Sequence, residues 1–299
     1  MTQRNKINRI IEPVFVIALS LISLYLSKTS MIFIGLIPIL FAIFYFNEGL
    51  ISFLLGAAAT YLMGLFFIDK DQMILAFMPL VLISIGFIIP IAIKGTDKSQ
   101  IITGFIIASL VFIFLYKYKM LVQKTNIEDL AINLKANFEK AYPYDLDLDV
   151  YRYSVAAYPA VLAAISLIYS IIAVKIIRNY LAYKTEAYLD ITNLDDLRMN
   201  FKGLALIFLI EAVIYFLASK WGVDKIYILI NLIFINFAFF AINGASLFDY
   251  ILRNSKLPLS RAFQWFFILI LLQVLVLPLA LFGFLDIFID FRRRRKNEK

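Results

Sequence analysis

The chain has 299 residues, 63% of them hydrophobic and 17% charged, with a net charge of +8 and a mean hydropathy of +0.86. Soluble domains carry about 25% charged residues, so an ordinary soluble globule is excluded. The complete lack of Cys and His also excludes disulfides, cysteine nucleophiles, and serine–histidine or zinc hydrolases.

In chain order, apolar runs fall near 11–27, 31–47, 50–68, 73–93, 101–122, 153–177, 203–219, 226–252 and 262–289. Each approaches or exceeds the length needed to cross a hydrocarbon core of about 30 Å. The runs do not alternate apolar with polar residues, as a membrane barrel would require. Helices satisfy their own backbone in lipid, so the expected fold is an all-α transmembrane bundle. Asn47-Glu48-Gly49 and Asp69–Gln72 are short enough to force antiparallel hairpins. The first run is expected to be a retained helix.

Lys and Arg in short loops set the orientation. With the N-terminus inside, Arg4, Lys6, Arg9, Lys94, Lys98, Lys175, Arg178, Lys184, Arg198, Lys202, Arg253, Lys256 and Arg261 are cytoplasmic. Nine crossings would then leave the block from Arg292 to Lys296 outside. An even count of about eight keeps it inside, so one run fails to cross or is split. The run 226–252 is interrupted by Asn231, Asn236, Asn243 and Gly244, and the last run is able to bend at Pro278. Both termini are expected in the cytoplasm of a bacterial cell.

Two segments do not span. In 127–141, Ile127, Leu130, Ala131, Leu134, Phe138 and Ala141 recur at helical spacing, which predicts an amphipathic helix on the outer surface. Tyr142-Pro143-Tyr144 ends it. Asp145, Asp147 and Asp149 alternate with Leu146 and Leu148. A calcium loop is rejected because Val150 replaces the required glycine and Ala156 the bidentate glutamate. The period of two instead predicts a short extended strand. Asn193–Asp196 is expected to start a short cytoplasmic helix before Phe201.

Candidate residues follow from cost. Glu211 lies within an apolar run, where a carboxylate costs about 2.5–3.5 kcal/mol on insertion scales. It is a candidate for binding a cation, a proton or an amine. Its bland alternative is a neutral glutamate bonded to a neighbouring helix. Asn231, Asn236, Asn243 and Gln273 are either interhelical hydrogen-bonding groups or, with Glu211, the lining of a polar cavity. Gly56, Thr60 and Gly64, and likewise Ala156, Ala160 and Ala164, repeat every four residues and predict close helix packing. Tyr151, Tyr153, Tyr158 and Trp221 fit an interfacial aromatic belt. Asp286 and Asp290, a turn apart beside the arginines, predict charge neutralisation at the inner interface or a partner-docking site. No metal site, cofactor, catalytic constellation or nucleic-acid module is expected. The expected partners are the bilayer and either a small molecule or another membrane protein.

The ending Gly283-Phe284-Leu285-Asp286 followed by Asp290-Phe291-Arg292, with Asn243-Gly244 before it, resembles the YybS-like family of bacterial membrane proteins. Residues 11–178 also resemble the S-component fold of energy-coupling-factor transporters. That likeness is carried by Gly35-Leu36-Ile37-Pro38, Phe46-Asn47-Glu48-Gly49 and Gly56. It implies a six-helix bundle over 1–178 with an outward segment at 123–152 that closes over a small molecule. A connector at 179–202 and additional helices at 203–299 follow. The first helix shows Ala18, Ser20, Ser23 and Ser27 where S-components present an alanine face to their transporter partner. Small-molecule binding or transport is the expected function. The alternative is a scaffold or regulatory protein of the cell envelope.

Overall fold

A computed structural model describes residues 3–27, 31–68, 70–142, 146–185, 196–255 and 260–292. These residues form α1 (Gln3–Leu26), α2 (Leu36–Gly64), α3 (Lys70–Ala92), α4 (Asp97–Val122), α5 (Ile127–Ala141), α6 (Leu148–Ala156), α7 (Tyr158–Thr185), α8 (Phe201–Lys220), α9 (Lys225–Arg253), α10 (Arg261–Val274) and α11 (Val276–Ile289), with no strand among them. Among the described residues, five stretches are long and apolar enough to cross a membrane: Phe33–Gly64, Asp97–Val122, Tyr158–Lys184, Phe201–Lys220 and Lys225–Arg253. Shorter apolar helices cover Glu12–Leu26, Phe77–Ala92 and Val276–Ile289.

The chain divides into two compact units. The first comprises residues 1–117 and 165–191, the second residues 118–164 and 192–299.

In the first unit α1 packs on α2, and α2 on α3. The stretch Phe33–Gly64 is not one straight rod. Gly49 has φ 83° and ψ −179°, a region open essentially to glycine alone. Phe41 and Phe53 then meet edge to face with centroids 5.9 Å apart. Twelve residues of straight helix would separate them by about 18 Å. The arms 36–48 and 50–64 therefore fold back on each other, as the short Asn47-Glu48-Gly49 connection predicts.

The small-residue seam lies within this packing. Gly56 faces the Phe44 ring and Gly64 faces Met73. Thr60 is buried and donates to Gly56 O at 2.9 Å. Elsewhere in the unit Arg178 is buried. Its Nε donates to Gln100 Oε1 and its Nη2 to Gly95 O, each at 2.8 Å. Gln100 Nε2 donates to Phe87 O at 2.8 Å. A buried guanidinium thus finds its acceptors at the turn between α3 and α4, which removes much of its desolvation cost.

In the second unit α5 forms where the amphipathic pattern predicts it. Asn126 and Asp129 make a reciprocal capping box at its start. The predicted strand at 145–149 does not form in the described part, and Asp145 lies outside the described residues. Asp147 instead accepts from Asp149 N–H and caps α6. Aspartate is a strong N-cap residue, and that local bond outweighs a two-residue alternation.

Arg152 ties α6 to α5. Its Nε and Nη2 donate to the two oxygens of Glu128 at 2.7 and 2.8 Å, and Nη1 to Asp149 at 2.5 Å. This hydrogen bonding holds the Glu128 carboxyl below the usual carboxylate range. Tyr151 is buried against Phe138, so it serves this small core and not an aromatic belt. Trp221, at the end of α8, is 79% exposed.

The sixth apolar run is broken between α6 and α7. Pro159 has no N–H, and its ring clashes with the carbonyl four residues earlier in a continuous helix. Ala156 and Ala160 are therefore buried on either side of a break, not along one seam, and Ala164 is half-buried.

The last run is also split, between α10 and α11. The break falls at Leu275, not at Pro278. Pro278 clashes with the carbonyl of residue 274 in a continuous helix, so the helix ends at Val274 and restarts at Val276. Contacts along α9 give the direction of α11. Phe237 lies with Leu277 and Pro278, Asn243 bonds Gly283, and Tyr250 bonds Arg292. Residue numbers rise together, so α9 and α11 run parallel. α10 must then carry the chain back from Arg253 to the level of Phe237. The two 14-residue helices form a half-length hairpin, each arm about 21 Å long.

Candidate functional site

Two polar groups in the second unit interrupt otherwise apolar helices. The larger sits where α9 meets α11. Gly244 and Gly283 let the two backbones touch. A Cβ on Gly244 would collide with Leu279 O, and one on Gly283 with Phe240 O and Gly244 N. Asn243 spans the junction. Its Nδ2 donates to Gly283 O at 2.6 Å, and its Oδ1 accepts from Met199 N–H at 3.0 Å. One amide therefore joins α9, α11 and the segment entering α8.

The acids of α11 separate at its end. Asp286 is fully buried, and its Oδ2 accepts from Arg292 Nε at 3.2 Å while Oδ1 accepts from Phe291 N–H at 3.2 Å. Arg292 reaches back because Asp290 adopts a left-handed conformation, φ 52° and ψ 61°. That reversal takes Asp290 off the face it was expected to share with Asp286. Asp290 pairs with Arg198 at 3.0 Å instead. The neutralisation expected at this end is thus divided between two ion pairs. Arg293, Arg294, Arg295 and Lys296 lie outside the described residues.

The smaller group is Glu211 with Asn236. Asn236 Nδ2 donates to both carboxylate oxygens, at 2.7 and 2.8 Å, and also to Leu232 O at 3.0 Å. Both side chains are half-buried. The carboxylate thus has an amide donor from α9 midway along α8. The pair offers an oxygen-rich point to a cation, a proton or an ammonium group.

Asn231 is placed elsewhere. Its Oδ1 accepts from Ala160 N–H at 3.0 Å, and its Nδ2 donates to Ala156 O at 2.9 Å. In an unbroken helix that N–H and that carbonyl would bond each other. The Asn231 amide fills the break before α7. Of the polar residues singled out, the described contacts bring Glu211 and Asn236 together. Asn231 and Asn243 bond the backbones of other elements. Gln273 lies on α10, and its side chain is outside the described residues.

Asp249 was not singled out, yet it is fully buried on α9, as is Ser246. An acid inside the run 226–252, three residues after Ser246 and six after Asn243, was the available signal. Arg198 was assigned only to the cytoplasmic side, and nothing in its local sequence points to Asp290. Among the described residues no group of three His, Cys, Asp or Glu side chains is arranged to hold a metal ion.

No curated protein and no solved structure matches the chain. A family described as predicted membrane protein (DUF2232) matches residues 14–287. That match covers both glycines of the α9–α11 junction, the Glu211–Asn236 pair and every long apolar helix, and the chain belongs to this family of membrane proteins.

Proposed function

We propose that this membrane protein binds a small cationic or amine-bearing molecule within the bilayer and carries or presents it across. The observation behind this reading is the Glu211–Asn236 pair. A carboxylate in the middle of an apolar helix is costly and defaults to a functional role. The S-component likeness of residues 11–178 supports the same reading. It supplies the expectation of an outward segment, within which α5 and α6 lie.

The arrangement in the membrane belongs to this proposal. Eight segments cross: α1, residues 31–48 and 50–68 (the two arms of α2 with the apolar residues that extend them to 18 and 19 residues), α3, α4, α7, α8 and α9. The α10–α11 hairpin enters and leaves by one face. Each of its arms is too short for a core of about 30 Å but long enough for one leaflet. The basic end after Arg292 then lies on the same side as the N-terminus, in keeping with the Lys and Arg bias. The absence of native cysteine makes the test direct. A cysteine appended after Lys299 is expected to resist a membrane-impermeant maleimide in intact cells and to react after lysis. Reaction in intact cells overturns the even count.

Ligand binding is tested by thermal melting of the purified protein against monovalent cations and small primary amines, with Glu211→Gln in parallel. A true ligand at a hundredfold excess over Kd adds about 2.7 kcal/mol of stability, and Glu211→Gln is expected to abolish the gain. Equal stabilisation of both proteins, or of neither, overturns the reading.

A further inference from the structure

Glu211 lies about 15 Å from either end of α8, midway through a core of about 30 Å. An acid at that depth ordinarily faces a bundle interior or a water-filled cavity. The surroundings of this one are different. Of the 20 residues of α8 only Leu204 is buried. Phe208 and Ile214, one turn to either side of Glu211, are exposed, as is Ile233 before Asn236. The half-buried carboxyl therefore opens sideways, between apolar side chains.

Neither helix lays a polar route to it from its ends. Between Gly203 and Ala218 the polar side chains of α8 are Glu211 and Tyr215, and between Ile228 and Ala241 those of α9 are Asn231 and Asn236. Asn231 is engaged with Ala156, Ala160 and Tyr227. A hydrated inorganic cation would have to shed its water along this path, at a cost that one carboxylate and one amide do not repay.

No Lys or Arg among the described residues neutralises Glu211, whose partner is the Asn236 amide. Asn236 Nδ2 donates to Glu211 and to Leu232 O, while Oδ1 of the same amide is buried without a partner. A half-turn about the terminal side-chain bond brings that oxygen to Glu211. Both side chains then present acceptors, and a primary amine brings the donors they need. A carbon chain on the nitrogen lies against Phe208, Ile214 and Ile233.

We propose that the ligand of this pair is an amphiphilic primary amine, one nitrogen on a hydrocarbon chain, that enters sideways from the bilayer. This rests on Glu211 being a ligand-binding carboxyl and names the class of molecule it takes. The amine arrives as the uncharged base, so its transfer costs the desolvation of one polar group and not of an ion. It then shares one proton with the Glu211 carboxyl across a single hydrogen bond. Chain length sets affinity, through the apolar surface removed from water.

The test uses the full chain in phosphatidylcholine nanodiscs, with dodecylamine carrying a diazirine close to its nitrogen as the probe. Label is expected on peptides containing 208–215 and 229–240. Plain dodecylamine is expected to displace it, ethylamine to do so only at a concentration about a hundredfold higher or more, and dodecanol not at all. Glu211→Gln removes a costly acid and is expected to insert normally but to lose the label. The competition in the parent chain depends on no variant. Displacement by dodecanol, or label retained on both peptides in Glu211→Gln, overturns the proposal. Equal potency of ethylamine and dodecylamine also overturns it, and leaves a small hydrophilic amine as the ligand of Glu211. If neither amine displaces the label, the proposal falls together with any amine as that ligand.

Discussion

Gly244→Val is expected to part α9 from α11 and to be among the most damaging single changes in the second unit. The collision it creates is with the Leu279 carbonyl, and the reciprocal substitution at Gly283 meets Phe240 O and Gly244 N. These are backbone atoms. They cannot rotate away as a side-chain terminus can, so the helix axes must separate. Separation also breaks the buried bond from Asn243 Nδ2 to Gly283 O and leaves that buried amide donor without its acceptor. Overpacking typically costs 1–3 kcal/mol, and with the lost bond the expected total is about 3 kcal/mol or more. The protein is naturally free of cysteine, so the separation itself can be read. Phe240 and Phe284 have ring centroids 5.2 Å apart. A Phe240→Cys, Phe284→Cys pair is expected to oxidise to a crosslink in the parent and not in the Gly244→Val background. An unchanged crosslink and an unchanged melting temperature would sink the close-approach argument.

Asp286→Ala is expected to be at least as severe, for an electrostatic reason. Asp286 is 0% exposed and Arg292 7%. Removing the carboxylate breaks the buried pair with Arg292, and deleting one partner of a buried pair costs about 3–5 kcal/mol. Replacing both partners with apolar residues, Asp286→Leu with Arg292→Met, is expected to recover most of that loss, because neither charge is then desolvated. The neighbouring pair supplies the contrast. Arg198 and Asp290 are each about a third exposed, and such pairs contribute about 0–1 kcal/mol. Asp290→Asn keeps a residue type that tolerates the left-handed backbone, so it isolates the ion pair from the turn. It is expected to shift the melting temperature little. Melting followed by fluorescence-detected size exclusion separates the cases. If Asp286→Ala and Asp290→Asn behave alike, burial is not what sets the cost at this junction.

Much of the architecture was legible because lipid imposes simple constraints. An apolar run in a bilayer must be helical to satisfy its backbone, so the helices fall where composition places them. The hairpin at Gly49 follows from a connection too short for any other path. The cap of α5 follows from Asn126 and Asp129. The strand expected near Asp147 failed because alternation over so few residues is weak beside one capping bond. The break at Leu275 was displaced from Pro278 by part of a turn, because the proline ring acts on the carbonyl four residues before it.

The candidate sites were legible as residues but not as partnerships. Glu211 stands out in any hydropathy trace, since a carboxylate in lipid is expensive wherever it sits. That its donor is Asn236, while Asn231 fills a helix break and Asn243 binds Gly283, depends on which helix faces which. The two short motifs Asn243-Gly244 and Gly283–Arg292 lie forty residues apart and prove to be two sides of one contact. Composition and periodicity by themselves determined that this is a helical membrane protein without thiol or imidazole side chains. Those properties depend on each segment's own solvent and length. Only the tertiary structure decided that α10 and α11 turn back within half the length of α9, and which of the buried charges meet. These outcomes are set by close contacts between segments far apart in the chain, and local sequence holds no record of them.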